Sequence, residues 1–286
     1  MKTGLVLEGG AFRTIFSCGV CDAFLDAGLP LPDYTVGVSA GIAYGVSYLS
    51  RQSRRNLKLL TTYANDKRYM GVGNFLDRRN RSYFGLKFSY ETIPNELLPF
   101  DYETFAAYPG TVEAVVTNLN TGRAEYPEVP RKDEHFLLLQ ATCAIPLMFP
   151  VIHLDGQPYL DGGCAMAIPY RRAIDSGFEK IVLVLTRQKG YRKLYTPRPV
   201  LHAYARYFRH YPNFFRALCE IPARYDRQQR EIDRLEAAGR IFVIRPQKPV
   251  DVSHTERDTE KLTALYEDGR REAERQLEAL RTYLAK

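Results

Sequence analysis

The sequence predicts an α/β fold in which helices cover both faces of a mostly parallel central sheet, a three-layer α/β/α sandwich. Short apolar runs such as Gly4 to Leu7 and Tyr34 to Val38 alternate along the chain with longer segments of helical periodicity. This alternation is typical of parallel sheets, because their crossover helices cover both faces. The 286 residues, of which 45% are hydrophobic, are enough to bury a full core.

The individual elements follow from the spacing of apolar residues and from turn signals. Apolar alternation predicts strands near residues 3–7, 34–38, 111–117, 151–160, 180–186 and 240–245. Apolar residues three and four positions apart predict helices near residues 14–27, 40–65, 134–144, 169–176, 201–237 and 256–284. Ser253 and Glu256 predict a capping box at the start of the last helix.

A sharp turn follows the second predicted strand. Tyr34 to Val38 runs into Gly37-Val38-Ser39-Ala40-Gly41, and Ile42, Val46 and Leu49 then recur at helical spacing. A strand that turns into a helix through Gly-Xaa-Ser-Xaa-Gly is the nucleophile elbow of serine hydrolases. Gly37 and Gly41 would allow the strained turn that leaves the Ser39 hydroxyl accessible. The alternative is a simple strand-to-helix turn in which Ser39 caps the helix.

A glycine-rich turn, Glu8-Gly9-Gly10-Ala11-Phe12-Arg13, follows the first predicted strand. Backbone N–H groups at a helix start can bind an oxyanion. Both turns follow strands, so they are expected to meet at the carboxyl edge of the sheet, where open α/β sheets bind ligands.

A serine hydroxyl needs a neighbouring base to act as a nucleophile. Asp161 is the strongest candidate, because it ends a predicted strand and is followed by Gly162 and Gly163, which allow close backbone approach. The alternative is an aspartate that only binds amides of its own turn. None of the five histidines has comparable surroundings; they are His135, His153, His202, His210 and His254.

Three blocks in this order, Glu8 to Arg13, Gly37 to Gly41 and Asp161-Gly162-Gly163, resemble the signature motifs of the patatin-like phospholipases. The stretch from Ala141 to Pro150 is similar to the segment that precedes the aspartate in that family. The resemblance covers roughly residues 1–190 and implies a patatin-like catalytic core there. Residues 191–286 are expected to form a helical cap and a C-terminal strand–helix extension packed on the same domain.

The resemblance implies a serine lipid acyl hydrolase of the phospholipase A or esterase type, with a Ser39–Asp161 dyad and no catalytic histidine. Gly9, Gly10 and Ala11 would form the oxyanion hole through their N–H groups. Gly37, Gly41, Gly162 and Gly163 would support the turns. No cofactor or metal is expected, because no His/Cys/Asp cluster has ligand spacing.

The first block departs from the pattern of the family. Ala11 and Thr14 stand where the family usually has its second and third glycines. Alanine keeps the N–H group, at a cost of about 1 kcal/mol if its φ is positive. Thr14 is expected to cap the following helix. Arg13 is expected to orient the loop by binding carbonyl groups, with contact to an anionic head group as the alternative.

The net charge of +7 is concentrated in two basic, aromatic segments, Lys67 to Phe88 and Tyr204 to Arg216. Aromatic rings mixed with cations suit a peripheral contact with an anionic membrane surface. The alternative is an ordinary cap with packed rings, and nucleic acid is not expected as a partner. The charged start of the chain and its five scattered cysteines favour a cytoplasmic protein.

Two other functions remain open from sequence. One is a catalytically idle lipid-binding or regulatory protein on the same fold, which the intact Ser39 and Asp161 argue against. The other is an α/β-hydrolase with a hidden histidine, disfavoured because Ser39 follows only the second strand. Head group, acyl length, positional preference and oligomeric state are left open.

Overall fold

The structure, a computed structural model, describes residues 2–285. Its strands form one eight-stranded sheet: β1 (Thr3–Leu7), β2 (Tyr34–Val38), β3 (Thr111–Asn118), β4 (Ala124–Glu125), β5 (Ile152–Leu154), β6 (Gln157–Asp161), β7 (Lys180–Val184) and β8 (Phe242–Ile244). The strand order is β5-β6-β3-β2-β1-β7-β8, and β4 pairs with β3. The strands β3, β2, β1, β7 and β8 are neighbours in the sheet and pair in parallel. In contrast, β4 and β6 each pair with β3 in antiparallel orientation, and β5 pairs with β6 in the same way.

Eleven α-helices accompany the sheet in the described part of the chain. They are α1 (Ile15–Asp26), α2 (Ala40–Leu49), α3 (Arg55–Tyr63), α4 (Gly73–Leu76), α5 (Tyr102–Ala107), α6 (Leu137–Thr142), α7 (Tyr170–Asp175), α8 (Arg198–Tyr207), α9 (Pro212–Cys219), α10 (Ile221–Ala237) and α11 (Thr259–Ala285). Short 3₁₀ turns cover Ala11–Thr14 and Gly162–Cys164, and a π-helical segment covers Phe88–Leu97.

The side chains of the central strands point alternately into two cores. Leu5 and Leu7 of β1 pack with residues of α1, α2 and α11 on one face, whereas Val6 packs with residues of α7 and α10 on the other. A strand buried on both faces has the continuous apolar character that β1 and β2 show. The predicted three-layer α/β/α sandwich is therefore confirmed, while the division of the chain at residue 190 stays a prediction.

Several predicted helices are divided in the structure. The helix expected near residues 40–65 breaks after Leu49, because Arg51 and Arg54 adopt left-handed backbone conformations with φ of 57° and 59°. The helix expected near residues 201–237 is three helices, and Pro212 and Pro222 stand in the first turns of the second and third. Proline favours the first turn of a helix but removes a hydrogen bond from its interior, so it separates these segments.

The predicted capping box at the last helix is wrong. Glu256 does accept a hydrogen bond from the N–H of Ser253 at 3.3 Å, but α11 begins only at Thr259. The carboxylate of Asp258 accepts from the N–H groups of Glu260 and Lys261 at 2.9 and 3.1 Å. Asp258 therefore caps this helix.

Two glycines allow α11 to cross α1 at close range. A Cβ atom added to Gly19 would collide with the carbonyl oxygen of Tyr266, and one added to Gly269 would collide with that of Phe16. Beside this crossing, the Tyr266 hydroxyl donates to Asp22 at 2.7 Å and Arg270 pairs with Asp26 at 2.7 Å. The C-terminal helix α11 thus packs closely against α1, the helix that follows the glycine-rich turn, and stabilises its position.

Ala11 begins the 3₁₀ turn with a φ of 48°, in the left-handed region. An L-residue with a Cβ atom is strained there by about 1–2 kcal/mol. The expected capping role of Thr14 is wrong, because its hydroxyl donates to the Ala11 carbonyl at 2.6 Å and caps no N–H group. Thr14 therefore holds the strained turn closed.

We predict that Gly269→Ala destabilises the protein by about 1–3 kcal/mol, because the new methyl group overpacks the crossing with α1. At an exposed helix position the same change would stabilise by about 1 kcal/mol through helix propensity. Denaturant unfolding measures the effect, with the exposed Ala279→Gly as the control for propensity alone. A gain in stability for Gly269→Ala would contradict the close crossing.

We predict that Ala11→Gly raises the free energy of unfolding by up to about 1 kcal/mol, because glycine adopts the left-handed conformation without strain. The matched control is Ala238→Gly, at a position with φ of −82°, where the free energy of unfolding should fall. Equal losses for both variants would show that Ala11 is not strained.

Candidate active site

The backbone turns sharply at Ser39, between β2 and α2. Its φ of 54° and ψ of −138° are rare for a residue with a side chain, and such strain is concentrated at functional sites. A Cβ atom added to Gly41 would lie 2.5 Å from the carbonyl oxygen of Glu8, so only glycine lets the two turns pack together. The Ser39 side chain caps no helix N–H group, which removes the simple capping alternative.

Thr142 holds the turn at Ser39 in place through two hydrogen bonds. Its hydroxyl accepts a hydrogen bond from the Ser39 N–H at 2.8 Å and donates one to the Val115 carbonyl at 2.5 Å. This buried chain ties the end of α6 to β3 and to the elbow. Thr142 lies in the stretch from Ala141 to Pro150 that the sequence singled out, although its contact with Ser39 was not foreseen.

Strand register brings Asp161 to the elbow. Val38 pairs with Val115 across β2 and β3, and the next residue, Val116, pairs with Asp161 of β6. Ser39 Oγ donates to Asp161 Oδ2 at 2.7 Å, and the Gly163 N–H donates to Asp161 Oδ1 at 2.7 Å. The Asp161 carboxylate thus accepts a hydrogen bond from Ser39 and also one from an amide of its own turn, so both interactions considered from the sequence are present.

Desolvation controls the acidity of this carboxyl group. Asp161 is 8% exposed, and burial raises its pKa to about 6, against the opposing effects of the hydrogen bonds from Ser39 and Gly163 and of the charge on Lys193. Burial disfavours a lone carboxylate, so its affinity for a proton increases. Asp161 is therefore mostly ionised at neutral pH and is a stronger base than an exposed aspartate.

The glycine-rich turn runs directly past Ser39. A Cβ atom added to Gly9 would lie 3.1 Å from the Ser39 Cβ. Within residues 2–285, the N–H groups of Gly9 and Gly10 donate no hydrogen bond. Ala11 follows these two glycines directly and begins the 3₁₀ turn. Unpaired N–H groups beside a serine hydroxyl are the arrangement that an oxyanion hole needs.

Arg13 does not have the contacts expected for orienting the loop. Its side chain, 8% exposed, donates to no carbonyl group in the described chain, and its Nε has no partner there. Instead, Arg13 Nη2 lies 3.3 Å from His254 Nε2. The guanidinium faces a cavity that Ser39 and Asp161 also line.

His254 lies in surroundings that the sequence did not reveal. It lines the same cavity, and burial, followed by the charges on Arg13, Lys193 and Arg187, lowers its pKa to about 4. Its hydrogen-bond contact is with Arg13, whereas the Ser39 hydroxyl is paired with Asp161. His135 instead contacts Glu91, and His210 contacts Arg209. His254 thus lines the same cavity as Ser39, while the expectation that no histidine is catalytic stays a prediction.

Ser39 stands where two cavities of different character meet. One, of about 110 Å³, is lined mainly by apolar and aromatic side chains, including Phe12, Tyr44, Tyr69, Phe84, Ile93 and Phe149. The other, of about 360 Å³, is more polar and is lined by Asp161 and by Arg13, Arg187, Lys193, Tyr225 and His254. Aromatic residues scattered over a hundred positions build the apolar cavity, so no local motif predicts it.

The two basic, aromatic segments are only partly exposed. Four of their rings, Tyr69, Phe84, Phe208 and Phe214, are buried, so the packed-cap alternative holds for them. Exposed apolar side chains lie in α4 and its flank and in the stretch before and within α8: Val72, Phe75, Leu76, Leu194, Tyr195, Val200 and Tyr207. No helix within residues 2–285 has the length and apolar character needed to cross a membrane.

Comparisons with known proteins identify the family and relatives of the chain. A family model described as patatin-like phospholipase matches residues 5–174, and a model for a domain of unknown function, DUF6363, matches residues 211–285. The uncharacterized protein YjjU of Escherichia coli K12 is 26% identical in an alignment 210 residues long that covers 69% of this chain and 55% of YjjU. The chain thus spans about half the length of this curated relative.

The fold also has a counterpart among solved structures. The crystal structure of VipD from Legionella pneumophila superposes with a TM-score of 0.51 at 12% identity, over 97% of this chain and 67% of VipD. At this identity the likeness concerns the fold alone. Since the family model covers more than half of the chain, including all three sequence blocks, the chain belongs to the patatin-like phospholipase family.

Proposed function

We propose that the protein is a serine lipid acyl hydrolase that uses a Ser39–Asp161 dyad without a catalytic histidine. The observation that carries the proposal is the 2.7 Å hydrogen bond from Ser39 Oγ to Asp161 Oδ2, formed where the apolar and polar cavities meet. Membership of the patatin-like phospholipase family supports a lipid ester as the substrate.

In the acylation step, Ser39 Oγ attacks the ester carbonyl carbon while its proton passes to Asp161 Oδ2. The oxyanion of the tetrahedral intermediate accepts hydrogen bonds from the N–H groups of Gly9, Gly10 and Ala11. When the intermediate collapses, the bond to the alcohol oxygen breaks and Asp161 returns the proton to that oxygen. The products of this half-reaction are the free alcohol and an acyl ester on Ser39.

In the deacylation step, Asp161 takes a proton from a water molecule that attacks the acyl carbonyl carbon. The second tetrahedral intermediate uses the same N–H groups, and its collapse returns the proton to Ser39 Oγ and releases the fatty acid. A single carboxyl group serves as base and acid in turn, which suits a pKa of about 6.

The two cavities suggest how the ester is oriented. The acyl chain would enter the apolar cavity beside Phe12, Tyr69 and Phe84, because burial of methylene groups stabilises the complex there. The alcohol part would occupy the polar cavity. An idle lipid-binding protein would gain nothing from a strained serine aligned with a buried carboxylate, since such strain is costly unless it is used.

We predict that Ser39→Ala abolishes ester hydrolysis and covalent labelling by a fluorophosphonate probe, while circular dichroism and thermal unfolding stay those of a folded protein. The matched control is Ser176→Ala, at an exposed serine outside the cavities, which should retain both activities. Hydrolysis that persists in purified Ser39→Ala protein would refute the assignment of Ser39 as the nucleophile. A wild-type protein that binds lipid but is neither labelled nor active would favour the idle alternative.

We predict that kcat/KM falls about tenfold for each pH unit below about 6, because a protonated Asp161 cannot accept the serine proton. Asp161→Asn should lower turnover by about 10³–10⁴ above about pH 6 and leave a residual rate that lacks this pH dependence. His254→Ala should cost no more than about tenfold, through packing alone. A loss with His254→Ala as large as that with Ser39→Ala would mean that a histidine is the base.

We also propose that the protein is cytoplasmic and contacts anionic membranes peripherally through the exposed apolar residues of α4, its flank, α8 and the stretch before α8, which lie in or next to the two basic segments. Leu194 and Tyr204 line the polar cavity, as does Met148, whose carbonyl accepts hydrogen bonds from Ser82 and Tyr83 of the first segment. Both segments therefore lie beside the polar cavity. Exposed apolar side chains beside cations suit the interface of an anionic bilayer.

Vesicle sedimentation tests this contact. Binding to anionic vesicles should weaken as salt rises, and the double variant Arg206→Glu/Arg209→Glu should bind less well than the wild type. The control Arg271→Glu/Arg281→Glu changes the net charge equally at exposed positions on α11 and should bind as the wild type does. Equal binding to neutral and anionic vesicles, unaffected by either change, would contradict the membrane contact.

A further inference from the structure

Three cationic side chains line the polar cavity beside Ser39 and Asp161. They are Arg13, which follows β1, and Arg187 and Lys193, which follow β7. None of the three forms an ion pair with a carboxylate in the part of the chain that the structure describes. Unpaired cations are seldom gathered in a partly desolvated space, because their charges repel and their burial is costly.

The contacts of these side chains leave donors facing the cavity. Arg13 is 8% exposed and its Nε has no hydrogen-bond partner within residues 2–285. Arg187 donates from Nη1 to the Val250 carbonyl at 3.1 Å, and its guanidinium lies 4.5 Å from the centre of the Tyr191 ring. The Lys193 ammonium lies 5.3 Å from the centre of the Tyr225 ring and makes no hydrogen bond in that part of the chain.

The carboxylates of the cavity are already engaged. Glu8 accepts hydrogen bonds from the Tyr225 hydroxyl at 2.8 Å and from the N–H and hydroxyl of Thr186 at 2.6 and 3.1 Å. Asp161 is held by Ser39 and Gly163. Burial and the charge on Arg13 lower the pKa of Lys193, although the charge on Glu8 opposes this shift. The positive charges of Arg13 and Lys193 therefore repel each other across the cavity.

We propose that Arg13, Arg187 and Lys193 form a subsite for an anionic group, a phosphate monoester above all, carried by the alcohol part of the substrate. This inference rests on the proposed function, because it assigns the leaving alcohol to the polar cavity. Guanidinium and ammonium groups that are not paired with a carboxylate form strong charge-assisted hydrogen bonds with phosphate oxygens.

The same arrangement disfavours a zwitterionic head group. A quaternary ammonium ion binds to aromatic faces or to carboxylates. Here Arg187 and Lys193 already cover the Tyr191 and Tyr225 rings, and the Glu8 carboxylate is engaged by three donors. A terminal phosphate should therefore be preferred to a phosphocholine group. Arg187 and Lys193 lie outside residues 5–174, which the patatin-like model matches, so this selectivity would belong to the C-terminal part of the chain.

Binding to the full-length Ser39→Ala protein tests the subsite without requiring turnover. Calorimetry would compare three octanoyl esters below their micelle concentrations: octanoyl glycerol phosphate, octanoylglycerol and octanoyl glycerophosphocholine. We expect the phosphate ester to bind about 10- to 100-fold more tightly than the other two. Adding Lys193→Gln or Arg187→Gln should remove most of this preference and change the affinity for octanoylglycerol by no more than about twofold.

Lys189→Gln is the matched control, because Lys189 lies in the same loop but pairs with Glu236, and it should keep the preference. Equal affinity of the wild-type cavity for the three esters would overturn the subsite. Inorganic phosphate that binds as tightly as the phosphate ester would also overturn it, since the site would then serve free phosphate. Selective binding with no hydrolysis of any ester by the Ser39-containing protein would support the subsite and refute the proposed function.

Discussion

The hydrogen bond between the Ser39 hydroxyl and the Asp161 carboxylate depends on how two turns and an antiparallel strand meet at one edge of the sheet. The parallel pairing of β1, β2 and β3 aligns the strand ends, and the antiparallel β6 places Asp161 one residue beyond the level of Val38. Close approach is possible because glycine stands at position 41, where any side chain would meet the Glu8 carbonyl. A shift of one residue in the β3–β6 register would point Asp161 to the opposite face of the sheet.

This arrangement is stabilised by the rest of the fold at several costly positions. Ser39 and Ala11 both have positive φ, and Asp161 is a buried carboxylate. Each of the two positive φ values opposes folding by about 1–3 kcal/mol, so it persists only where the surrounding packing over-determines it. The Thr142 hydroxyl and the close packing of α1 against α11 supply part of that support. The free energy of unfolding is therefore lowered locally at the proposed active site.

The C-terminal part of the chain does more than cover the core. β8 extends the sheet beyond β7, and α11 holds α1, which begins directly after the glycine-rich turn. Tyr225 of α10 donates to Glu8, and the stretch before α11 brings His254 to Arg13. Together these contacts build one wall of the polar cavity from residues that lie outside the patatin-like match.

The sequence by itself determined the alternation of strands and helices, the three-layer fold, the elbow at Ser39 and the candidacy of Asp161. These features are local, since a strand, a glycine-rich turn and a helix start are specified by a few neighbouring residues. Only the tertiary structure decided which helices break, that Ala11 has a positive φ, and that Arg13 faces His254 rather than loop carbonyls. It also decided that Arg187 and Lys193 share a cavity with Ser39, because contacts between residues more than a hundred positions apart depend on packing and register, which no local pattern specifies.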